Sequence, residues 1–547
     1  MTFKSFTKNF KNYLTHYCSN ASIHGLKFLA EKDRSIIERI WWFVFIALSI
    51  FLCVNSVVTT HRKWLHSPVI VTFATSETPI YQIPFPAITI CPLNKIDRKK
   101  FSFNTSEDSE GTMTYASLLC DEATQYVSDL AEDVDNGALD FLLNISSGFD
   151  TNVWKCEINE EYCGYEDYPN FIPTLSIDGV CFSFNFLDRN DLFTTNTDLD
   201  HYERLGIPHQ SNSSWTTAEG YKLDAKLGTY PRRAVAAGIS GGLDLILHSS
   251  KEQSKDVCAN QLDGYKVILG RTTSSGRIPT IRRTYFLVPQ NQLVSVGIKP
   301  NMLRTSPEIQ KYKPKDRKCF LDDEKKLKFF KGYDQQNCLS ECLANYSYAK
   351  CDCVGFYMPR SKGTPICGPG SKECLRTAQH EFLIADSELK LERYNRQRAD
   401  NPLMFDVPKK YSKKLRTVPK PKCNCLPSCN SLSYDIETSQ IEWHWYKLYP
   451  NANATTSGLS RLRIFFKDWQ FMSSERNELY GESEFWANCG GLLGLFFGCS
   501  LLSIIEILYY ATLRLCCNIK NFGLSYWSGP GEKESKRPHS KKEIAQQ

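Results

Sequence analysis

Three glycines, two serines and a carboxylate stand at helical spacing near the C-terminal end of the chain. Their types point to ion chemistry. They lie in Asn488-Cys489-Gly490-Gly491-Leu492-Leu493-Gly494-Leu495-Phe496-Phe497-Gly498-Cys499-Ser500, followed by Leu501-Leu502-Ser503-Ile504-Ile505-Glu506. Gly490, Gly494 and Gly498 are four apart and share one helix face. In lipid such a stripe lets backbones approach closely, which by itself is a packing role. Ser500, Ser503 and Glu506 add hydroxyls and a charge. An ionisable residue in a membrane segment usually faces a bundle interior or a water path, although near a helix end it can snorkel outward. Around an axis lined by several copies, small side chains would let carbonyls and hydroxyls replace part of a cation's water shell.

The elements that must position these groups are spanning helices. From Phe485 to Ile505 the chain carries no charge, and about 21 residues at helical rise give roughly 30 Å, the depth of a bilayer core. A second uncharged run, Ile40 to Val58, is long enough for a short span. It starts too far in, opens on Trp41-Trp42 and lacks a small-residue cleavage site, so it is not read as a signal peptide. Formal net charge is +6 over 547 residues, and Lys and Arg outnumber Asp and Glu outside both spans. Basic flanks predict both termini in the cytoplasm and the middle of the chain outside the cell, at the plasma membrane. Cysteine usage agrees: of 22 cysteines, an even set lies between the spans, as an oxidised domain requires. Sequons at Asn104, Asn144, Asn212, Asn345 and Asn453 fall there too, whereas that at Asn20 falls on the cytoplasmic side and should stay unmodified.

The domain plan follows: cytoplasmic 1–39, first span 40–58, extracellular domain 59–484, second span and pore 485–513, cytoplasmic 514–547. Strands dominate the domain before Cys319. Ala87-Ile88-Thr89-Ile90 reads as a short buried strand between prolines, Asp178-Gly179 as a turn into Val180–Phe184, and Gly242–Leu247, Tyr265–Leu269, Thr284–Val288 and Leu293–Val296 as further strands. The expected class is α+β between two membrane helices. In residues 1–39, Ser22-Ile23-His24-Gly25 reads on residue types alone as a turn before a short amphipathic helix. Glu381 to Lys422 reads as a charged, solvated loop, with Arg393-x-x-Arg396 as an alternative protease site.

Between Cys319 and Cys429 the cysteines form a ladder. Cys338 and Cys342 are i, i+4, on one helix face, and Cys423 and Cys425 are i, i+2, on one face of an extended segment. The rises, about 6 Å and about 6.6 Å, match, so two rungs can form. Antiparallel nesting pairs Cys342 with Cys423, Cys338 with Cys425 and Cys319 with Cys429, with Cys351–Cys374 and Cys353–Cys367 inside. Many other connectivities remain open for this set. A zinc site is the alternative, but no histidine is interleaved and no metal is expected. Cross-links over short loops, each contributing about 2–4 kcal/mol, would make this segment a stiff lever.

These stretches resemble the degenerin/epithelial sodium channel family, and most closely its insect pickpocket branch. The resemblance rests on Ser22-x-His24-Gly25, on Phe85-Pro86-Ala87-Ile88-Thr89-Ile90-Cys91, on the Cys319–Cys429 region and on Gly490–Ser500 with Leu502–Glu506. It implies a homo- or heterotrimer with related subunits, embedded in lipid, and a domain built as palm, finger, knuckle, thumb and β-ball. Cys319–Cys429 would be the thumb. It implies Cys91–Cys181 and Cys156–Cys163, leaving Cys120 and Cys258 for each other. By family position Gly498, Cys499 and Ser500 line the selectivity filter, Gly494 is the amiloride position, and Glu506 concentrates cations below the filter. Ala487 is where bulky residues hold such channels open, and Ser22, His24 and Gly25 form the cytoplasmic gating motif. The implied function is a voltage-independent, amiloride-sensitive channel gated through its extracellular domain, with Na⁺ as permeant ion and no cofactor.

Two departures stand out. Cys499 replaces the commoner Ala, Gly or Ser, and Asn488 stands where other branches often carry Asp. The acidic-pocket and histidine pattern of acid-sensing members is not recognisable. Among rivals, an ATP-gated trimeric two-span channel would need a Lys/Arg cluster on paired strands, and none stands out. A two-span glycosylated scavenger receptor would need no polar residues in its second span. With no nucleophile motif, phosphate loop or metal-ligand histidine cluster, neither an enzyme nor a nucleic-acid binder is expected.

Overall fold

The computed structural model of this chain divides into two compact units, Met1–Ile70 with Glu478–Gln547, and Val71–Asn477. It describes residues 3–31, 34–66, 69–101, 110–127, 130–163, 171–187, 189–200, 215–217, 219–226, 229–250, 258, 262–270, 285–399, 423–450, 457–479, 481–523 and 527–528. The first unit opens with helices α1 (Phe3–Asn20), α2 (Leu26–Ala30) and α3 (Ile36–His66). The apolar stretch of α3 runs Ile36–Arg62, longer at both ends than the Ile40–Val58 run of uncharged residues. The helix continues through Thr59–His66 because no glycine or proline interrupts it before Pro68.

The second unit is built on sheets. The strands of its two large sheets are β1 (Val69–Pro79), β2 (Ala87–Pro92), β3 (Val153–Ile158), β4 (Glu161–Tyr162), β5 (Phe171–Ser176), β6 (Gly179–Phe184), β7 (Leu243–Ser250), β8 (Gly264–Gly270), β9 (Tyr285–Pro289), β10 (Gln292–Thr305), β11 (Ser431–Glu442), β12 (Ser457–Phe466) and β13 (Gln470–Glu478). The larger sheet runs β1-β13-β10-β12-β7-β3-β4, with β11 also on β10, and the smaller runs β9-β8-β2-β6-β5. Both sheets feed one core. Ile88 and Ile90 of β2, Phe182 and Phe184 of β6, Leu245 and Leu247 of β7, Val296 of β10 and Ile464 of β12 are buried together. Asp244 on β7 sits opposite Arg463 on β12 and takes hydrogen bonds from Arg461 (2.6 and 2.9 Å) and Arg463 (3.0 Å), which fixes that register.

Two helices carry the cysteine ladder, α4 (Gln335–Cys351) and α5 (Lys372–Ala399). Asp334 caps α4 by accepting the Gln336 N–H at 2.8 Å. The structure pairs Cys338 with Cys425, Cys342 with Cys423, Cys319 with Cys429, Cys351 with Cys374 and Cys353 with Cys367. It also pairs Cys91 with Cys181, Cys120 with Cys258 and Cys156 with Cys163. One premise of the ladder is corrected: Cys423 and Cys425 lie in irregular chain, and the nearest strand-like contact is a single bridge between Phe320 and Ser428. The charged loop from Glu381 is also corrected. Residues Lys372–Ala399 are one helix, because the stretch is rich in Glu, Leu, Lys and Arg and holds neither Gly nor Pro. Arg393 and Arg396 lie on that helix, and residues 400–422 fall outside the described residues.

The first unit closes with α6 (Glu482–Phe497), α7 (Leu501–Tyr509) and α8 (Leu515–Phe522), the last two joined by a π-helical turn. The expected continuous second span is therefore two helices, interrupted at Gly498-Cys499-Ser500. The apolar segment Leu501–Phe522 extends past Leu513, where the sequence reading ended it. Two membrane helices thus flank a disulfide-rich, sheet-rich domain.

Candidate ion pore

The interruption is built from capping chemistry. Gly498 sits at φ 61°, ψ 24°, the left-handed conformation that ends a helix without a Cβ penalty. Its N–H donates to the Gly494 carbonyl at 2.8 Å, and the Cys499 N–H reaches that of Leu493 at 3.3 Å. Ser500 then starts α7. Its N–H donates to Ser503 Oγ at 3.2 Å, and the Ser503 N–H returns to Ser500 Oγ at 3.4 Å, a reciprocal cap. A helix C-terminus and a helix N-terminus meet within three residues, so irregular backbone interrupts the stretch read as the second span. Such backbone is tolerated there only where protein buries it or it lines a cavity.

The N-terminal segment folds onto this break. The His24 N–H donates to the Phe497 carbonyl at 3.0 Å, satisfying one of the orphan carbonyls at the end of α6. The His24 ring stands where a Cβ on Gly498 would point. Ser22 donates its N–H (3.2 Å) and its hydroxyl (2.6 Å) to Glu506 Oε2, and its Oγ lies 2.9 Å from Ser503 Oγ. Gly25, at φ 90°, approaches Ile46 and Trp42 of α3; a Cβ there would lie 3.2 Å from Ile46. Phe28 stacks on Trp42 at 4.4 Å. Ser22 and His24 therefore contact the break and the start of α7, and Gly25 seats the same turn against α3.

Ser22, His24, Gly498, Cys499, Ser500 and Glu506 are thus brought together. Gly494 joins through its carbonyl. Ala487 does not: it is exposed near the start of α6, eleven residues and about 16 Å of helix before Gly498. Next to it Asn488 is exposed and Cys489 is buried where α6 packs on α3, beside the buried Cys53. Phe485 stacks on Trp64 at 4.9 Å, which fastens the opposite end of the helix pair. Cys499 is half-buried, and among the described residues its thiol makes a weak 3.9 Å contact to the Ser500 carbonyl. On residue types alone, Ser22–Gly25 reads as an ordinary turn. The signals in its favour are a carboxylate, Glu506, that needs donors, and a glycine poised for positive φ.

Of the sequons, Asn144 and Asn345 are exposed, as is Asn20, while Asn104, Asn212 and Asn453 lie outside the described residues.

The family described as amiloride-sensitive sodium channel matches residues 17–510. The chain belongs to that family. It is 28% identical over 538 residues to pickpocket protein 28 of Drosophila melanogaster, covering 93% of this chain and 79% of the relative. It is 22% identical to the sodium channel protein Nach of the same species, over 92% of this chain and 88% of the relative. Against the bile acid-sensitive ion channel of Mus musculus it is 22% identical, over 91% and 87%. The insect pickpocket branch is supported by these matches. The chain is a cation-channel subunit of the sodium-channel class, not an enzyme.

Proposed function

We propose that this chain is one subunit of a trimeric, Na⁺-selective, amiloride-sensitive, voltage-independent channel of the plasma membrane, with cytoplasmic termini, gated through the domain between its spans. The observation that carries the reading is the break at Gly498–Ser500 with His24 and Ser22 held against it. Three such breaks around an axis would present carbonyls and hydroxyls to a partly dehydrated ion. Glu506 supplies the negative field beneath, and Ser22, donating twice to it, holds the carboxylate in place. No repeated basic residues lie in Ile40–Val58 or Phe485–Ile505, which fits a pore without voltage-sensing charges. A receptor that only anchors itself would gain nothing from a broken second span.

The deciding experiment is whole-cell recording from cells expressing this chain alone and with related subunits, across peptide, small-molecule, mechanical and acid stimuli. Current carried by Na⁺ in preference to K⁺, blocked by amiloride and weakened in its block by Gly494 substitution, is expected. Protein at the surface with no current under any combination would overturn the reading.

A further inference from the structure

A cleft of about 640 Å³ opens on the larger sheet, where β3, β7 and β12 lie side by side. Its walls are aromatic. The Trp154 ring, 48% exposed, stands edge-on to Tyr449, with centroids 4.8 Å apart. The floor is rigid: Ile246, Leu459 and Trp445 are buried together beneath Tyr449. The Trp445 indole N–H is held by Asn291 Oδ1 at 2.8 Å.

Polar groups in the cleft are few and mostly satisfied. The Nδ1 of His248 lies 3.1 Å from the Thr151 carbonyl, and its Nε2 lies 3.1 Å from Ser457 Oγ. A carbonyl only accepts, so the proton sits on Nδ1, and Nε2 can take the serine hydroxyl. Both ring nitrogens are therefore partnered within the protein. Among the described lining residues the one carboxylate is that of Asp150, which is exposed and makes no ion pair among the described residues. Among the described residues no lysine or arginine lines the cleft. A single carboxylate is too few oxygens for a divalent metal ion.

We propose that this cleft binds a small organic cation, an ammonium group carried on an aromatic body, with the charge at Asp150 and the ring against Trp154 and Tyr449. Cation and aromatic walls attract through the ring quadrupoles, and the volume suits one small molecule. The occupant touches three neighbouring strands, so it would hold β3, β7 and β12 together. The site is independent of the pore and its test needs no current.

The test uses the full chain purified in detergent and 2-phenylethylammonium as probe, with binding read by saturation-transfer NMR. Its uncharged isostere, 2-phenylethanol, serves as the comparison. Saturable binding of the ammonium, weakened about tenfold in Asp150→Asn and about tenfold in Trp154→Leu, is expected. Asp150 is exposed, so the unliganded melting temperature of Asp150→Asn should equal that of the parent. Equal binding of the alcohol, an unchanged affinity in either variant, or no saturable binding overturns the proposal.

Discussion

A methyl group at position 498 would collide with the imidazole of His24, and the backbone there is left-handed. Gly498→Ala therefore carries two penalties, a steric one that depends on His24 and a conformational one of about 1 kcal/mol that does not. We expect Gly498→Ala to reach the surface but to lose most current or its Na⁺ preference. Adding His24→Ala should recover part of it; equal loss in the single and double variants would mean that the ring does not limit the break. Cys499, next in the chain, tests water access. It is half-buried with a weakly engaged thiol, whereas Cys489 is buried against α3. A thiol reached by water ionises in part and reacts. Cd²⁺ applied to the open channel should block it, and Cys499→Ser should abolish the block. If current persists and Cys499 never reacts, residues 498–500 do not line the ion path.

At the scale of elements, α4 and α5 are joined by more than Cys351–Cys374. Glu381 Oε2 accepts from Lys350 at 2.5 Å and from Tyr346 at 3.1 Å. The bond from Lys350, first among the causes, holds the Glu381 carboxyl below its ordinary 4.5. A depressed carboxyl stabilises the fold fully above its unfolded value and loses that contribution as pH falls through the folded one. Both partners are part-exposed, so the effect is small, about 0.5 kcal/mol. Glu381→Gln should speed hydrogen exchange in α4 and α5 at neutral pH and match the parent once pH is well below 4.5; a difference that persists in acid would refute the assignment. How legible these elements were follows from where the signal lies. The alternation of β7 and the apolar runs of β2 and β8 are local, so the sequence reading locates them. The C-terminal strands β11, β12 and β13 are not among those it locates: β11 is mostly exposed and half-polar with its partner β10 far off in the chain, whereas β12 does alternate between buried and half-buried residues. Helix α5 reads as a loop because its charge hides a strong helical propensity. The break in the second span is invisible to hydropathy, which counts Gly498-Cys499-Ser500 as apolar enough to continue. Only capping geometry reveals it. The cysteine rungs needed nothing but Cα separations, 5.7 Å for Cys338–Cys425 and 6.2 Å for Cys342–Cys423, which irregular chain meets as well as a strand does.

For the whole molecule the open quantity is which side of the membrane each part occupies. The cysteines divide along it. All eight disulfides lie between the spans, and the free thiols at Cys18, Cys53, Cys489, Cys499, Cys516 and Cys517 lie in the spans or beyond them. Oxidised and reduced compartments would produce that division. The sequons give an independent test, because Asn20, Asn144 and Asn345 are all exposed. Steric access therefore does not distinguish them, and only the side of the membrane does. Three variants are needed, each keeping one of these sequons and losing the rest. The variants keeping Asn144 or Asn345 should each shift in mass on endoglycosidase treatment, and the variant keeping Asn20 should not. A shift at Asn20 would put the N-terminus outside, where Ser22 and His24 could not contact the break from the cytoplasmic side. Silence at both Asn144 and Asn345, with the protein at the surface, would place the disulfide-rich domain inside. There its eight cross-links would have no oxidising compartment in which to form.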